Sequence, residues 1–140
     1  MSRSSRDFSQ VRVLIFEDSQ ALRSMECSML KELGITRIDQ VRDRCGAIEL
    51  LEHNRYDLIV CDWEMSTVSG IEVLTEIRSN SATAEIPFLM VTAQSRAEKA
   101  ETALAAGVDD YLLKPFQQDR FNYKVARLLG TVAPADAAAR

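Results

Sequence analysis

The chain has 140 residues, of which 46% are hydrophobic and 27% are charged, and its formal net charge is −4. This composition predicts one globular domain, and because no segment approaches the length of a membrane span or resembles a signal peptide, we expect a cytoplasmic protein without membrane insertion. The mild acidity and the lack of a basic run argue against direct binding to nucleic acid.

Short apolar stretches recur five times along the chain and predict β-strands. Several of them lack an alternation of polar and apolar residues, which is typical of strands covered on both faces of a sheet. The predicted strands are residues 11–16, 37–41, 58–61, 87–91 and 108–113.

Amphipathic segments lie between and after these strands and predict five helices. Ser19 is placed to cap the first helix and Gly34 to end it, whereas Gly107 and Gly130 follow the fourth and fifth helices. The apolar stripes are Leu22, Met25, Met29 and Leu33; Ala47, Ile48 and Leu51; Ile71, Leu74 and Ile77; Ala97, Ala100 and Leu104; and Phe121, Val125 and Leu128.

The alternation of strands and helices predicts an α/β fold, in which a parallel sheet carries helices on both faces. The pattern alone leaves the strand order open. In an open sheet of this kind the ligand site lies at the carboxyl ends of the strands. We expect residues 10–130 to form the domain, residues 1–9 to be a flexible N-terminus, and residues 131–140 to be a disordered tail or the start of a linker.

Charged and polar side chains follow the predicted strands at their carboxyl ends. Glu17 and Asp18 come after the first strand, Asp62 after the third, Thr92 after the fourth and Lys114 after the fifth. Since these ends share one edge of a parallel sheet, the five side chains are expected to converge. Three carboxylates in a small pocket stay ionised only when a cation joins them, and oxygen ligands without a nearby His or Cys favour Mg²⁺.

The same side chains predict chemistry on a phosphoryl group. Lys114 offers a point charge for one phosphoryl oxygen, and the Thr92 hydroxyl offers a hydrogen bond to another. Asp62, beside a metal ion and a lysine, is a competent nucleophile that would yield an acyl phosphate. The candidate catalytic residues are therefore Asp62, Lys114 and Thr92.

Four short motifs carry a resemblance to a known family. They are FEDS at 16–19, CDWEM at 61–65, VTA at 91–93 and KPF at 114–116. Each is weak alone, but together, each at a strand end, they resemble the receiver domain of two-component response regulators, most of all its CheY-like members, over residues 10–130. The resemblance implies a doubly wound, flavodoxin-like sheet of five parallel strands in the order 2-1-3-4-5 with five helices.

The resemblance also implies a role for each acidic residue. Asp62 accepts the phosphoryl group from a phosphohistidine on a sensor histidine kinase or a phosphotransfer protein. Asp18, Asp62 and the backbone carbonyl of Glu64 coordinate Mg²⁺, and Glu17 acts through water. Such a domain catalyses its own phosphorylation and dephosphorylation and is not an enzyme with a separate substrate.

The remaining implied roles concern switching and output. Thr92 and Lys114 bind phosphoryl oxygens, Thr92 and Tyr111 form the switch pair, and the bond before Pro115 is cis. The reporting surface spans the fourth helix, fifth strand and fifth helix, about residues 96–124, and binds a downstream protein. Its charged residues either serve docking or self-association, as a monomer or a phosphorylation-dependent dimer, or form a solvated face: Arg96, Lys99, Asp109, Asp110, Arg120 and Lys124.

The chain departs from the family pattern in the loop after the third strand. Ser66 stands where most members have proline, so a fixed φ angle is lost and we expect a more mobile loop. Ser69 stands where aspartate is common before glycine. Glu64 adds a carboxylate near Asp62, which we expect to change how a hydrolytic water approaches and therefore the lifetime of the phosphorylated form.

Several other readings of the sequence stay open. The tail permits a receiver fragment of a larger multidomain regulator, and a receiver that no longer uses phosphate would be a constitutive scaffold. An aspartyl-nucleophile phosphatase would place an Asp-x-Asp motif after the first strand, and a flavin protein would place a glycine-rich loop there; the sequence has neither. Similarity to chemotaxis members favours a motility role, although receivers of other pathways share the motifs.

Overall fold

A computed structural model describes residues 8–93 and 97–130, with only the helical backbone described for residues 97–100. The sequence predictions for residues 1–7, for Arg96, for the side chains of Ala97, Lys99 and Ala100, and for residues 131–140 lie outside these described parts. Within them, strands and helices alternate as follows: β1 Arg12–Phe16, α1 Gln20–Glu32, β2 Arg37–Val41, α2 Arg44–His53, β3 Leu58–Asp62, α3 Gly70–Ser79, β4 Phe88–Thr92, α4 Ala97–Ala105, β5 Asp110–Leu113 and α5 Gln118–Leu128.

The strands form one parallel sheet in the order β2-β1-β3-β4-β5. This order confirms the doubly wound fold implied by the family resemblance. The order reverses at β1 and β3, where consecutive chain segments leave for opposite sides of the sheet. The carboxyl ends of these two central strands therefore flank the crevice in which such folds place their ligand site.

Two apolar cores lie on opposite faces of the sheet, so the predicted helices on both faces are confirmed. One face packs against α2, α3 and α4, and the other against α1 and α5. Successive residues of β1, for example Ile15 and Phe16, belong to different cores and are both buried. This burial on both faces is the reason that the sequence of the central strands lacks polar alternation.

Local signals place the helix ends. The Ser19 side chain accepts a hydrogen bond from the Leu22 N–H, which confirms the predicted N-cap of α1. Gly34 has a φ of +91°, a conformation that glycine adopts without steric cost, and the helix ends just before it. Ser69 and Glu72 form a reciprocal capping box at the start of α3, so the serine that departs from the family pattern is the N-cap of this helix.

Two of the predicted apolar stripes are wrong in detail. In α1 the buried positions include Glu26 and Leu30, whereas Met25 is 38% exposed. In α4 Ala103 is buried and Leu104 is 63% exposed, because the helix meets the core through a small residue and turns its leucine outward.

The folded part of the chain begins earlier than the sequence predicts. Residues 8 and 9, assigned from sequence to a flexible N-terminus, form with Gln10 a short 3-10 helix. Phe8 is half-buried and packs against the core on the α1 and α5 side, which gives an apolar reason for the turn. No helix among the described residues combines the length and the apolar composition needed to cross a lipid bilayer.

Candidate functional site

The register of the sheet brings the predicted site residues to one edge. Phe16 pairs with Cys61 and Val41, so the residues that follow them lie side by side. On the other side of β3, the Lys114 N–H donates to the Thr92 carbonyl where β4 and β5 end. We call this edge the carboxyl rim; it carries Glu17, Asp18, Asp62, Thr92 and Lys114.

Asp62 and Lys114 form a close ion pair in the middle of the rim. The Lys114 Nζ lies 2.6 Å from Asp62 Oδ1, and the Asp62 side chain is only 2% exposed. Burial raises the pKa of Asp62, and the lysine only partly offsets this effect. For Lys114, burial acts to lower the pKa, but the hydrogen bond and charge of Asp62 outweigh it and the pKa is raised. The aspartate therefore has a firmly held cationic neighbour.

Three carboxylates cluster beside this pair. Single oxygens of Glu17, Asp18 and Asp62 all lie within 4.8 Å of one another. Burial raises the pKa of Glu17 to about 7 even though its Oε2 accepts a hydrogen bond from the Ser19 N–H, 3.0 Å away. Its Oε1 is buried and has no hydrogen-bond partner among the described residues. An unpartnered buried oxygen in a cluster of hard ligands fits a small divalent cation such as Mg²⁺.

The loop after β3 is tied to the rim through Asp18. The Ser66 N–H and hydroxyl both donate to Asp18 Oδ2, at 2.8 and 3.0 Å. The backbone hydrogen bond from Ser66 is the main cause that lowers the pKa of Asp18. Proline has neither donor. The serine that was expected to loosen this loop therefore supplies two contacts that a proline could not make.

The Glu64 side chain turns towards the rim. Its Oε2 accepts a hydrogen bond from the Thr92 hydroxyl at 2.5 Å, and its Oε1 accepts one from the Ala93 N–H at 3.1 Å. Its charge is among the influences that raise the pKa of Asp62. The sequence placed a Glu64 carboxylate near Asp62 but did not identify these two donors.

Glu26 is a buried acid that the sequence analysis missed. It lies on α1, is 1% exposed, and its Oε1 has no hydrogen-bond partner among the described residues. Burial, followed by the charges of Glu17 and Asp62, raises the pKa of Glu26 to about 8. The sequence does contain a signal for its burial, because Glu26 lies four residues from both Leu22 and Leu30 and therefore shares their helix face.

Gly70 is a second missed residue, and it acts through close backbone approach. A Cβ atom at this position would lie 2.6 Å from the Asp62 carbonyl oxygen and 2.8 Å from the Trp63 Cα. The Gly70 N–H donates to the Trp63 carbonyl at 2.9 Å. Only glycine lets the start of α3 pack this tightly behind the end of β3, which fixes the chain that carries Asp62.

The predicted switch and structural residues lie next to the rim. Tyr111 is half-buried on β5 and packs against the core on the α2, α3 and α4 side. The Lys124 Nζ lies 6.0 Å from the centre of its ring. The bond between Lys114 and Pro115 is cis.

Most of the described charges on the predicted output surface are paired within the molecule. Asp109 binds Arg78 at 2.7 Å, and Asp110 binds Lys124 at 2.8 Å and Arg127 at 3.3 Å.

The predicted output surface also carries exposed apolar side chains. Leu104 on α4 is 63% exposed, and Leu113 at the end of β5 is 39% exposed.

The fold and the site define the class of protein: a doubly wound α/β domain with an acidic, lysine-bearing pocket at the carboxyl ends of its strands. The family model described as the response regulator receiver domain matches residues 13–126. The chain belongs to this family of two-component signalling domains.

Known relatives agree with this assignment. The chain is 30% identical to the chemotaxis protein CheY of Pseudomonas aeruginosa over 122 residues, which cover 87% of this chain and 98% of that protein. Its structure resembles that of the chemotaxis response regulator CheY4 of Vibrio cholerae, with a TM-score of 0.79 and 27% identity over 86% of this chain and 99% of that one. It also resembles a receiver domain of a sensor histidine kinase from Pseudomonas aeruginosa, solved with a magnesium ion coordinated in the active site cleft, with a TM-score of 0.77 and 30% identity over 86% and 98% of the two chains.

Proposed function

We propose that the protein is a phosphorylation-controlled binding module, in which Asp62 accepts a phosphoryl group from a phosphohistidine donor. The observation that carries this proposal is the contact of 2.6 Å between the Lys114 Nζ and a buried Asp62 carboxylate at the edge of an acidic cluster. A carboxylate attacks phosphorus effectively only where nearby cations offset the negative charge of the carboxylate and of the phosphoryl group. Here Lys114 supplies one such charge.

The acidic cluster supplies the site for the second. Mg²⁺, when bound, would neutralise charge on the transferring phosphoryl group. Asp18, Asp62 and the backbone carbonyl of Glu64 would hold it, with Glu17 acting through water. The magnesium-bound receiver domain from Pseudomonas aeruginosa supports this choice of ion. Lys114 orients one terminal oxygen of the phosphoryl group, and the Thr92 hydroxyl donates to another.

The elements next to the site would transmit phosphorylation to a partner protein. Thr92 and Tyr111 are the proposed switch pair, and the surface of α4, β5 and α5 is the proposed docking surface for a downstream protein. Leu104 and Leu113 supply exposed apolar area there, while the paired charges around Asp110 supply a rigid polar border. The chemotaxis relatives favour a motility pathway.

The decisive experiment compares the wild type with Asp62→Ala in the presence of Mg²⁺ and acetyl phosphate. We expect the wild type alone to gain the mass of one phosphoryl group. Trp63, the single tryptophan of the chain, is buried directly after Asp62, so its fluorescence should report beryllofluoride binding in the wild type and not in the variant.

Equal labelling of the two proteins, or no labelling of either, would contradict the proposal. The second result would favour a receiver that acts without phosphate. As a matched control, Asp57→Ala removes an aspartate at the amino end of β3, where the carboxylate accepts the Arg12 N–H at 2.9 Å, and we expect it to be labelled like the wild type.

A further inference from the structure

The Glu64 carboxylate binds a pair of donors at the end of β4. The Thr92 hydroxyl and the Ala93 N–H come from adjacent residues at the end of β4, and they bind different oxygens of the same carboxylate at 2.5 and 3.1 Å. Two adjacent donors that bind two oxygens of one anion form a small oxyanion site. Two terminal oxygens of a phosphoryl group can accept hydrogen bonds from the same pair of donors.

The charge of Glu64 is also felt by the ion pair in the middle of the rim. It acts to raise the pKa of both Asp62 and Lys114. Its hydrogen bonds to Thr92 and Ala93 hold the carboxylate near the phosphorylation site, although Glu64 as a residue is exposed and can return to solvent. A position near the site and an exposed side chain are both expected of a group that binds these donors reversibly.

We propose that the Glu64 side chain is an intramolecular occupant of the phosphoryl-oxygen site, which the phosphoryl group must displace from Thr92 and Ala93. This inference rests on the proposed function and adds a residue that sets the affinity of the site for its anion. No bond is made or broken in the exchange; one anion replaces another on the same two donors. Thr92, the proposed switch residue, thereby changes its partner when Asp62 is phosphorylated.

Occupation by Glu64 has a measurable effect on affinity. An apparent dissociation constant increases in inverse proportion to the fraction of molecules whose site is open. If the carboxylate fills the site in about nine of ten molecules, its removal should strengthen anion binding about tenfold. The change concerns only the resting state, because in the anion-bound state the donors have the same partner with or without Glu64.

The test measures beryllofluoride affinity, in Mg²⁺, by Trp63 fluorescence for the wild type and four variants. Glu64→Ala should bind about tenfold more tightly than the wild type. Glu64→Asp keeps the negative charge but is one methylene too short to reach both donors, so its affinity should approach that of Glu64→Ala. Glu64→Gln keeps the length without the charge, and its affinity should lie between those of the wild type and Glu64→Ala. Glu85→Ala, an exposed glutamate before the amino end of β4, should bind like the wild type.

A second measurement needs neither metal nor anion. In metal-free protein, the amide resonance of Ala93 should shift in Glu64→Ala relative to the wild type, because its acceptor is gone. On saturation with beryllofluoride and Mg²⁺, the Ala93 resonances of the two proteins should move closer together, since the acceptor is then the same.

The outcomes separate this inference from the proposed function. If the wild type binds beryllofluoride and Glu64→Ala binds no more tightly, the occupant role is wrong and the proposed function stands. If Glu64→Asp behaves like the wild type, charge repulsion and not occupation explains the effect, which also overturns the inference. If no protein binds beryllofluoride, the proposed function fails, and an unchanged Ala93 resonance in metal-free Glu64→Ala would then reject the occupant as well.

Discussion

Charged side chains cluster at both ends of the sheet, and the two clusters are built in opposite ways. At the amino ends of β4 and β5, Arg78 donates to the carbonyls of Gly107, Ala84 and Ile86 and to the Asp109 carboxylate, at 2.7 to 3.2 Å. This set, which we call the Arg78 clamp, gives one arginine four protein acceptors. It ties α3, the loop before β4 and the loop before β5 to one another.

The carboxyl rim is left short of positive charge and of donors. Its central aspartate has one lysine partner, while Glu17 Oε1 and, behind the rim, Glu26 Oε1 are buried without a hydrogen-bond partner among the described residues. Buried unpaired carboxyl groups oppose folding unless they hold a proton or a cation. The difference indicates that the clamp serves stability, whereas the buried carboxylates of the rim oppose it, as the proposed cation site would require.

The largest expected effect comes from breaking the clamp. In Arg78→Met the apolar stem is kept but four hydrogen bonds are lost, and three carbonyls lose a charged donor. We expect the free energy of unfolding to fall by about 3 kcal/mol at neutral pH, measured by urea denaturation with an unchanged m value.

Arg42→Met is the matched control for this prediction. It removes an exposed arginine from the loop before α2, and a change below about 0.5 kcal/mol is expected. A loss in Arg78→Met as small as in this control would show that solvent replaces the clamp without cost.

A smaller, pH-dependent effect is expected behind the rim. The pKa of Glu26 is raised from 4.5 to about 8, so between these values the folded chain keeps a proton that the unfolded chain has released. Stability from this group is therefore lost as the pH rises through that window. Glu26→Gln should stabilise the metal-free protein relative to the wild type by on the order of 2 kcal/mol more at pH 8 than at pH 5.

Urea denaturation in EDTA at the two pH values tests this. Glu26→Met, which also lacks the charge and carries no amide, should show the same trend. In Glu49→Gln, which changes an exposed residue of α2, the difference from the wild type should not depend on pH. Parallel stability curves for wild type and Glu26→Gln would mean that Glu26 is already ionised in the folded protein at pH 5.

The sequence predicted the architecture better than the side-chain directions. Apolar runs identified the central strands because burial on both faces leaves only the last residues of β3 and β4, Asp62 and Thr92, polar. The strand order came from the family resemblance and not from the pattern. The stripe in α1 was misassigned because spacings of three and four residues fit both Met25 and Glu26, and the apolar residue was the natural choice although the acid is the buried one.

At the site, the sequence predicted which residues converge but not how they pair. Strand ends were enough to bring Asp62 and Lys114 together. The contact between Glu64 and Thr92 depends on a side-chain direction in a loop, and the pairing of Asp109 with Arg78 joins residues far apart in the chain. No local periodicity encodes either contact. The hydrogen bond from the Ser66 N–H to Asp18 was not predicted either, because it depends on the path of the loop backbone.

The smallest expected effect concerns Ser66, which gives Asp18 two hydrogen-bond donors, whereas Glu17 Oε1 on the same rim has no partner among the described residues. Because the Ser66 N–H is the main cause of the lowered pKa of Asp18, Ser66→Pro should raise that pKa, and Ser66→Ala, which loses only the hydroxyl, should raise it less. Carboxyl NMR titration of the metal-free protein measures both. A pKa of Asp18 that stays equally low in Ser66→Pro would show that other groups stabilise its charge. An Asp18 pKa that is highest in Ser66→Pro, lower in Ser66→Ala and lowest in the wild type would instead show that hydrogen bonds from this loop stabilise the charge of Asp18 without a cation.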